Sequence, residues 1–209
     1  MKFRRWILVL ALPGLLAACG EQMPPLDFAV SNVGPSRTHL DAEVRSITIE
    51  IGRPDEQTGP VDVSLVETSG TGIGTGNALT STWRTALEDA LDRMALFRDD
   101  AHRKVLISVR ILKLDVPGAG GAFTTKAVAR YEIVDLSNGS IIFRDDVASQ
   151  GTTPFNYAFF GAIRARESVN RAVQNNIAKF LQQAQTIDLD RPMFPAPTRR
   201  MQRPAQPAA

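Results

Sequence analysis

Few residues in this chain have side chains that could do nucleophilic, acid–base or metal chemistry. Its 209 residues include one cysteine, Cys19, and two histidines, His39 and His102. A catalytic cysteine needs a base nearby, and a disulfide needs a second cysteine, which the sequence does not contain. The two histidines fall in a Pro- and Ser-rich segment and in a predicted turn, so they do not indicate a metal site. The role of Cys19 therefore depends on its neighbours.

The residues before Cys19 have the pattern of an export signal. Three positive charges lie in the first five residues, and residues 6–16 are apolar and uncharged. A charged start, a short apolar run and a zone of small residues are typical of a secretory signal peptide. The apolar run has about half of the roughly 20 residues that a transmembrane helix needs. We therefore predict that residues 1–18 are a signal peptide that is removed.

Leu16, Ala17 and Ala18 lead directly into Cys19, and this tetrapeptide resembles the lipobox of bacterial lipoproteins. In that class the cysteine thiol receives a diacylglyceryl group, the chain is cut before the cysteine, and the new amino group is acylated. The resemblance implies that Cys19 carries the lipid that anchors the protein to a membrane. Gly20 stands where enterobacterial lipoproteins retained in the inner membrane have Asp. We therefore expect an outer-membrane anchor that faces the periplasm.

The formal net charge of +2 comes from the two ends of the chain. Removal of residues 1–18 changes this charge to −1, and residues 20–184 alone carry about −3. A nucleic-acid-binding protein needs a basic patch in its folded part. The sequence therefore predicts no nucleic-acid partner.

Two further patterns bear on catalysis, and neither fits an enzyme. The glycines from Gly70 to Gly76 do not match GxGxxG, and no Lys-Ser or Lys-Thr follows them to form a phosphate-binding loop. We interpret this stretch as a flexible loop. Asp145 and Asp146 are adjacent in a predicted strand, where neighbouring side chains point to opposite faces. We expect a non-enzymatic protein without a cofactor.

The elements that position these residues form one predicted α+β domain over residues 44–184. Residues 19–43, with the lipidated cysteine, are rich in Pro, Ser and Asn and predict a flexible stalk. Residues 192–209 hold five of the thirteen prolines and few large apolar residues apart from Met193, Phe194 and Met201, so we predict a disordered Pro-rich tail over residues 185–209.

The order β-β-α-β-β-β-α follows from the hydrophobic periods of the sequence. Period-two alternation predicts a hairpin of two short strands and then three longer strands, near 45–51, 61–65, 104–116, 123–133 and 141–149. The apolar phase shifts after Ile111, which indicates a bulge. Helical spacing predicts helices from about Thr80, capped by Thr80 or Ser81, and over 159–183, with Arg164, Arg166 and Arg171 turned to solvent. We expect an antiparallel-rich sheet of four to five strands with both amphipathic helices on one face.

A cluster of aromatic residues precedes the last predicted helix. Phe155, Tyr157, Phe159 and Phe160 are four of the fourteen aromatic residues in the chain. Two interpretations stay open from sequence. The rings pack the start of the helix onto the sheet, or they form an exposed patch for a partner protein or an acyl chain.

The order and character of these elements resemble the YajG-type bacterial lipoproteins. More loosely, they are similar to small periplasmic α/β lipoproteins such as the LpoB, CsgG-like and transport-auxiliary proteins. The resemblance covers roughly residues 44–184, and only Cys19 matches position for position. It implies an accessory or scaffolding role in the cell envelope, through the lipid and an envelope protein partner, and it leaves the oligomeric state open.

Two functions remain from the sequence. One is a scaffolding lipoprotein that acts through protein contacts. The other is a transport-auxiliary or carrier module that holds an apolar ligand between the helices and the sheet. A closed, well-packed interface between helices and sheet favours the first, and an open cavity lined by apolar residues of both helices favours the second.

Overall fold

The fold is a four-stranded mixed sheet with two helices on one face, and the α+β class agrees with the sequence prediction. A computed structural model describes residues 23–64 and 76–196. The strands run in the spatial order β1-β2-β3-β4. The elements are β1 (Ala42–Ile51), α1 (Asn77–Met94), β2 (Arg103–Asp115), β3 (Phe123–Asp135), β4 (Ile141–Thr153), a short 3-10 helix (Phe155–Tyr157) and α2 (Gly161–Ala184).

The first strand does not form a hairpin, so the prediction of a paired strand at 61–65 is wrong. β1 pairs with β2 in parallel, with α1 between them along the chain. Residues 61–64 instead attach to the end of β2, where Leu114 donates its backbone N–H to the Pro60 carbonyl and Asp62 donates to the Leu114 carbonyl. A short apolar run cannot show by itself which strand it will join.

The bulge that the phase shift predicts in β2 is confirmed. The pairing of β2 with β3 shifts register between Ile111 and Lys113. The bulge returns Leu114 and Val116 to the core that also contains Ile111. Leu112 is equally buried but packs outside this core, beside Gly52. Apart from Leu112, the residues of both apolar phases therefore belong to one continuous core.

Helix α1 begins earlier than the sequence prediction, and neither Thr80 nor Ser81 caps it. Its first residue is Asn77, and Gly76 precedes it with a φ of 78° and no side-chain cap. Thr80 is already inside the helix, where its hydroxyl donates to the Gly76 carbonyl. A left-handed φ favours glycine, because a Cβ here is strained. The helix start is therefore set by backbone geometry.

The core between helices and sheet is organised around three aromatic side chains. Trp83 of α1, Tyr131 of β3 and Phe180 of α2 are fully buried. Tyr131 stacks on Phe180 with ring centroids 4.1 Å apart, and its hydroxyl accepts from Trp83 Nε1 and donates to Asn176 Oδ1. Asn176 also donates to the Val147 carbonyl, so the polar residue in the apolar stripe of α2 is satisfied. Buried polar groups with partners give the core one defined arrangement.

This network predicts a pH-dependent contribution to stability. Burial raises the pKa of Tyr131, so the folded protein keeps its phenol protonated while the unfolded chain ionises above about pH 10. Stability therefore falls as the pH rises above about 10. At neutral pH we expect Tyr131→Phe to cost about 1–3 kcal/mol, because it leaves buried partners unpaired. Denaturation at a series of pH values should show the difference between wild type and variant shrinking above pH 10; a constant difference would contradict the buried phenol.

The segment predicted as a free stalk lies against the domain over the residues that the structure describes. Phe28 is buried, with its ring edge towards Trp83 at a centroid distance of 6.1 Å. The backbone N–H of Asp27 donates to Asn170 Oδ1, and the side chain of Arg93 donates to the Val30 carbonyl. Apolar residues at 26, 28, 30 and 33 supply the contacts that the Pro and Ser content obscured. Residues 24–34 form a strap across the two helices.

The first part of the predicted disordered tail is also docked. Phe194 exchanges backbone hydrogen bonds with Ile141 at the start of β4. Arg103 donates to the Leu189 carbonyl at 2.7 Å and pairs with Asp190. The prediction of disorder from residue 185 is therefore wrong for residues 185–196, because Ile187 and Leu189 pack against the core and the backbone of Phe194 pairs with β4. Residues 197–209 lie outside the described part.

Candidate functional site

The aromatic cluster forms an exposed patch at one end of the molecule. The chain leaves β4 at Thr153, makes the 3-10 turn and enters α2. The exposed fractions are 68% for Phe155, 46% for Tyr157, 86% for Phe159 and 53% for Phe160. The buried residue of this segment is Ala158. If the cluster packed the start of the helix onto the sheet, an aromatic ring would be buried there instead. The exposure favours the patch interpretation over the packing interpretation.

Arg164 holds the aromatic segment in place. Its Nη1 donates to the Ala158 carbonyl at 2.5 Å and to the Phe159 carbonyl at 2.9 Å. Its guanidinium also lies 5.0 Å from the ring centroid of Phe155 and 5.4 Å from that of Phe123. A planar guanidinium can donate and stack at once. The backbone behind the exposed rings is therefore fixed to α2.

The predicted solvent exposure of Arg164 and Arg166 is wrong, since both are only 5% exposed. Arg164 turns inward, where its guanidinium donates to the Ala158 and Phe159 carbonyls just before α2. Arg166 turns towards Pro24 of the strap, and burial lowers the pKa of its guanidinium. Arg171 stays partly exposed, 5.3 Å from the ring centroid of Tyr157. The helical period of the sequence could not show these contacts, because Arg164 and Arg166 make them with the segment before α2 and with the strap. Neither of these belongs to the helix.

A groove of about 520 Å³ adjoins the patch. Its walls are the β2–β3 turn and the first turns of α2, and its lining includes Met23, Phe123, Ala162 and Ala165. Met23 is the first described residue of the chain and is 41% exposed. Eight large hydrophobic side chains are exposed among residues 23–64 and 76–196, and five of them lie on the patch or at Met23. The exposed apolar surface is therefore concentrated where the described chain begins.

The space between the two helices is closed. The strap fills it with Phe28 and Val30, which belong to the hydrophobic core. A groove that contacts both helices, at Met94 and Leu181, has a volume of only about 130 Å³. Ligand pockets usually have about 300–1,000 Å³. A larger groove of about 630 Å³ between β1 and α1 is lined by charged side chains that include Arg45, Glu88 and Asp92.

The acidic side chains considered for catalysis do not converge. Asp146 pairs with Arg130 through two hydrogen bonds of 2.6 and 2.8 Å, whereas Asp145 accepts from Gln183 of α2. The two carboxylates therefore lie on opposite faces, as the strand period predicts. In the described ranges no group of three or more His, Cys, Asp or Glu residues is placed to hold a metal ion. No helix there is long and apolar enough to span a bilayer.

The lipobox residues Leu16, Ala17, Ala18 and Cys19 lie outside the described residues, as do the glycines from Gly70 to Gly74. Lipidation of Cys19 and the loop interpretation of the glycines therefore stay predictions. His39, the stalk histidine, makes a 2.8 Å hydrogen bond to the Ala95 carbonyl. That contact helps to attach the segment between the strap and β1 to the end of α1.

No protein-family model and no curated protein sequence matches this chain. Among solved structures, a Xanthomonas campestris protein of the DUF330 family is similar with a TM-score of 0.49 and 10% identity, over 78% of this chain and 94% of that chain. A presumed lipoprotein from Caulobacter crescentus is similar with a TM-score of 0.37 and 18% identity, over 70% and 88%. Lipoprotein GNA1162 from Neisseria meningitidis has a TM-score of 0.29 and 10% identity, over 68% and 96%. These descriptions belong to those proteins; at such scores they give this chain neither a family nor a function.

Proposed function

We propose that this protein is a small bacterial lipoprotein that serves the cell envelope as a non-enzymatic accessory or scaffolding component. In this proposal the lipid on Cys19 anchors it to the periplasmic side of the outer membrane, and protein contacts carry its function. The YajG-type resemblance is part of the same proposal. Nothing in the proposal requires a cofactor or a nucleic acid.

The closed interior is the observation that carries this proposal. Trp83, Tyr131 and Phe180 fill the layer between helices and sheet, and Phe28 of the strap closes the space between the helices. A carrier that holds an apolar ligand between these elements would need that space open.

The carrier remains the second candidate because of the groove beside the patch. Its volume of about 520 Å³ falls in the usual range for ligand pockets, and Phe123 and Ala165 are in its lining. Any acyl chain held by this protein would lie in that surface groove rather than inside the fold.

Replacement of the anchor residue tests the proposal in cells. We expect wild-type protein to incorporate a labelled fatty acid and to fractionate with outer membranes on a density gradient. Cys19→Ser should lack the label and be released from washed membranes, because its hydroxyl cannot receive the diacylglyceryl group. Wild-type protein without the label, or Cys19→Ser protein with it, would contradict lipidation at this residue. Wild-type protein in inner-membrane fractions would contradict the proposed location.

The same strains test the accessory role. Crosslinking in intact cells, followed by mass spectrometry, should recover an envelope protein with the wild type and lose it with Cys19→Ser, because the tether keeps the domain at the membrane. Recovery of fatty acids or phospholipids from purified wild-type protein, without a protein crosslink, would favour the carrier instead.

A further inference from the structure

We propose that the aromatic patch faces the membrane, so that Phe155, Tyr157, Phe159 and Phe160 enter the headgroup region of the same bilayer that holds the lipid of Cys19. The domain would then lie on the bilayer instead of standing away from it on a stalk. This inference deepens the proposed function and rests on it for the position of the lipid.

The path of the N-terminal segment places the anchor beside the patch. The strap is fixed along α2, where Asp27 contacts both Asn170 and Gln174. The described chain begins at Met23, in the groove lined by Phe123 and the first turns of α2. Cys19 is four residues before Met23, and a fully extended chain spans at most about 3.6 Å per residue, or about 14 Å here. The Cα of Cys19 must therefore lie within about 14 Å of that of Met23, so the lipid is attached close to this end of the domain.

The side chains at this end suit a bilayer surface. Aromatic side chains are enriched where proteins meet the membrane interface. Residues 154–166 and 116–126 contain no Asp or Glu, and Arg164 and Arg166 are buried, so the match to a bilayer surface rests on the exposed rings. The acid-free stretches surround the exposed rings. The other face of the sheet, by contrast, carries ion pairs such as Arg130 with Asp146 and Arg144 with Glu132.

The patch is also held rigid, which reduces the ordering cost of binding. Arg164 binds the carbonyls of Ala158 and Phe159 from inside the fold. Phe159 and Phe160 contact each other edge to face, with ring centroids 5.4 Å apart. The rings are therefore presented to solvent by a fixed backbone.

Tryptophan reporters in the full-length acylated protein test the inference. Phe159→Trp places an indole on the patch, and Leu136→Trp places one at the β3–β4 turn, where the native side chain is 50% exposed. Phe123 and Asp135 mark the two ends of the 13-residue β3, so the reporters lie on the order of 40 Å apart. Both proteins are inserted through their lipid into vesicles of phosphatidylethanolamine and phosphatidylglycerol with brominated acyl chains.

We expect the indole of Phe159→Trp to lose most of its fluorescence to bromine and that of Leu136→Trp to keep it. The native Trp83 is fully buried and reports in both proteins that the fold is intact. Equal quenching at both positions, or none with Phe159→Trp, would overturn the inference. A blue shift of the Phe159→Trp indole without quenching, together with a doubled mass, would show a second copy on the patch and would overturn it as well.

The failure of lipidation would be distinguishable from failure of the patch. Mass spectrometry of the purified wild-type protein shows whether the lipid is present. Its absence would contradict the proposed function but would leave the inference about the patch to be tested. The same two reporters in Cys19→Ser protein, mixed with an excess of the brominated vesicles, then decide the patch without the anchor. In this unlipidated protein, quenching of the Phe159→Trp indole but not of the Leu136→Trp indole supports a membrane-facing patch. No quenching of the Phe159→Trp indole overturns the inference.

Discussion

Phe180→Ala should destabilise the domain by about 3–5 kcal/mol, which is the usual cost of truncating a fully buried phenylalanine. Phe180 is completely buried, stacks on Tyr131 with an interplanar angle of 9°, and packs against Phe143 at 6.0 Å. Its removal leaves a cavity at the centre of the core and frees the ring that carries the Tyr131 hydroxyl. Total stability of a domain is about 5–15 kcal/mol, so this one change can unfold a large fraction of the protein.

Phe159→Ala is the matched control, because it makes the same substitution where the side chain is 86% exposed. We expect it to change the free energy of unfolding by no more than about 0.5 kcal/mol, as is usual for surface positions. Chemical denaturation followed by circular dichroism gives both values. Equal costs for the two substitutions would contradict the placement of α2 on the sheet.

Gly151→Ala should cost at least about 3 kcal/mol, at the upper end of the usual range for overpacking. A Cβ on Gly151 would lie 2.2 Å from the backbone nitrogen of Ala172 and 2.4 Å from the carbonyl oxygen of Ser168. These are backbone atoms of α2, so no side chain can turn away to make room. The whole helix would have to move away from β4, with loss of the contact between Ser149 and the Ala172 carbonyl.

Gly118→Ala is the control for this prediction, because a Cβ there meets no atom within 4 Å. Thermal unfolding of the two variants should show a large loss for Gly151→Ala and a value near wild type for Gly118→Ala. A near-normal melting temperature for Gly151→Ala would mean that α2 does not approach β4 as closely as described.

The close approach of α2 to the sheet also explains which side chains lie in the interface between them. Thr125 and Ser168 share a hydrogen bond of 2.7 Å in this interface, and Ser149 donates to α2. Small side chains on both sides let the backbones meet, and their hydroxyls satisfy polar groups that the contact buries. The sequence analysis did not mark these polar positions, and a hydrophobic period cannot show that the distance is set by Gly151.

The sequence by itself determined the elements and their apolar faces. Alternation and helical spacing are local properties, so they predicted three long strands, a bulge after Ile111 and an amphipathic last helix over 159–183. They also predicted the aromatic cluster as a candidate patch. They could not show its exposure, because that depends on whether Ala158 or a ring fills the space beneath the segment.

Only the tertiary structure decided which segments pair and what covers the helices. The partner of β1 depends on a crossover through α1, so the local pattern at 61–65 predicted a hairpin that does not form. The strap and the docked part of the tail are short irregular segments whose apolar residues are too few to show a period. Their contacts, such as Phe28 with Trp83 and Phe194 with Ile141, join residues far apart along the chain. Arg164 is buried for a different reason: its main acceptors, the Ala158 and Phe159 carbonyls, lie only six and five residues before it, in the segment that leads into α2. A helical stripe carries no information about contacts with such a segment.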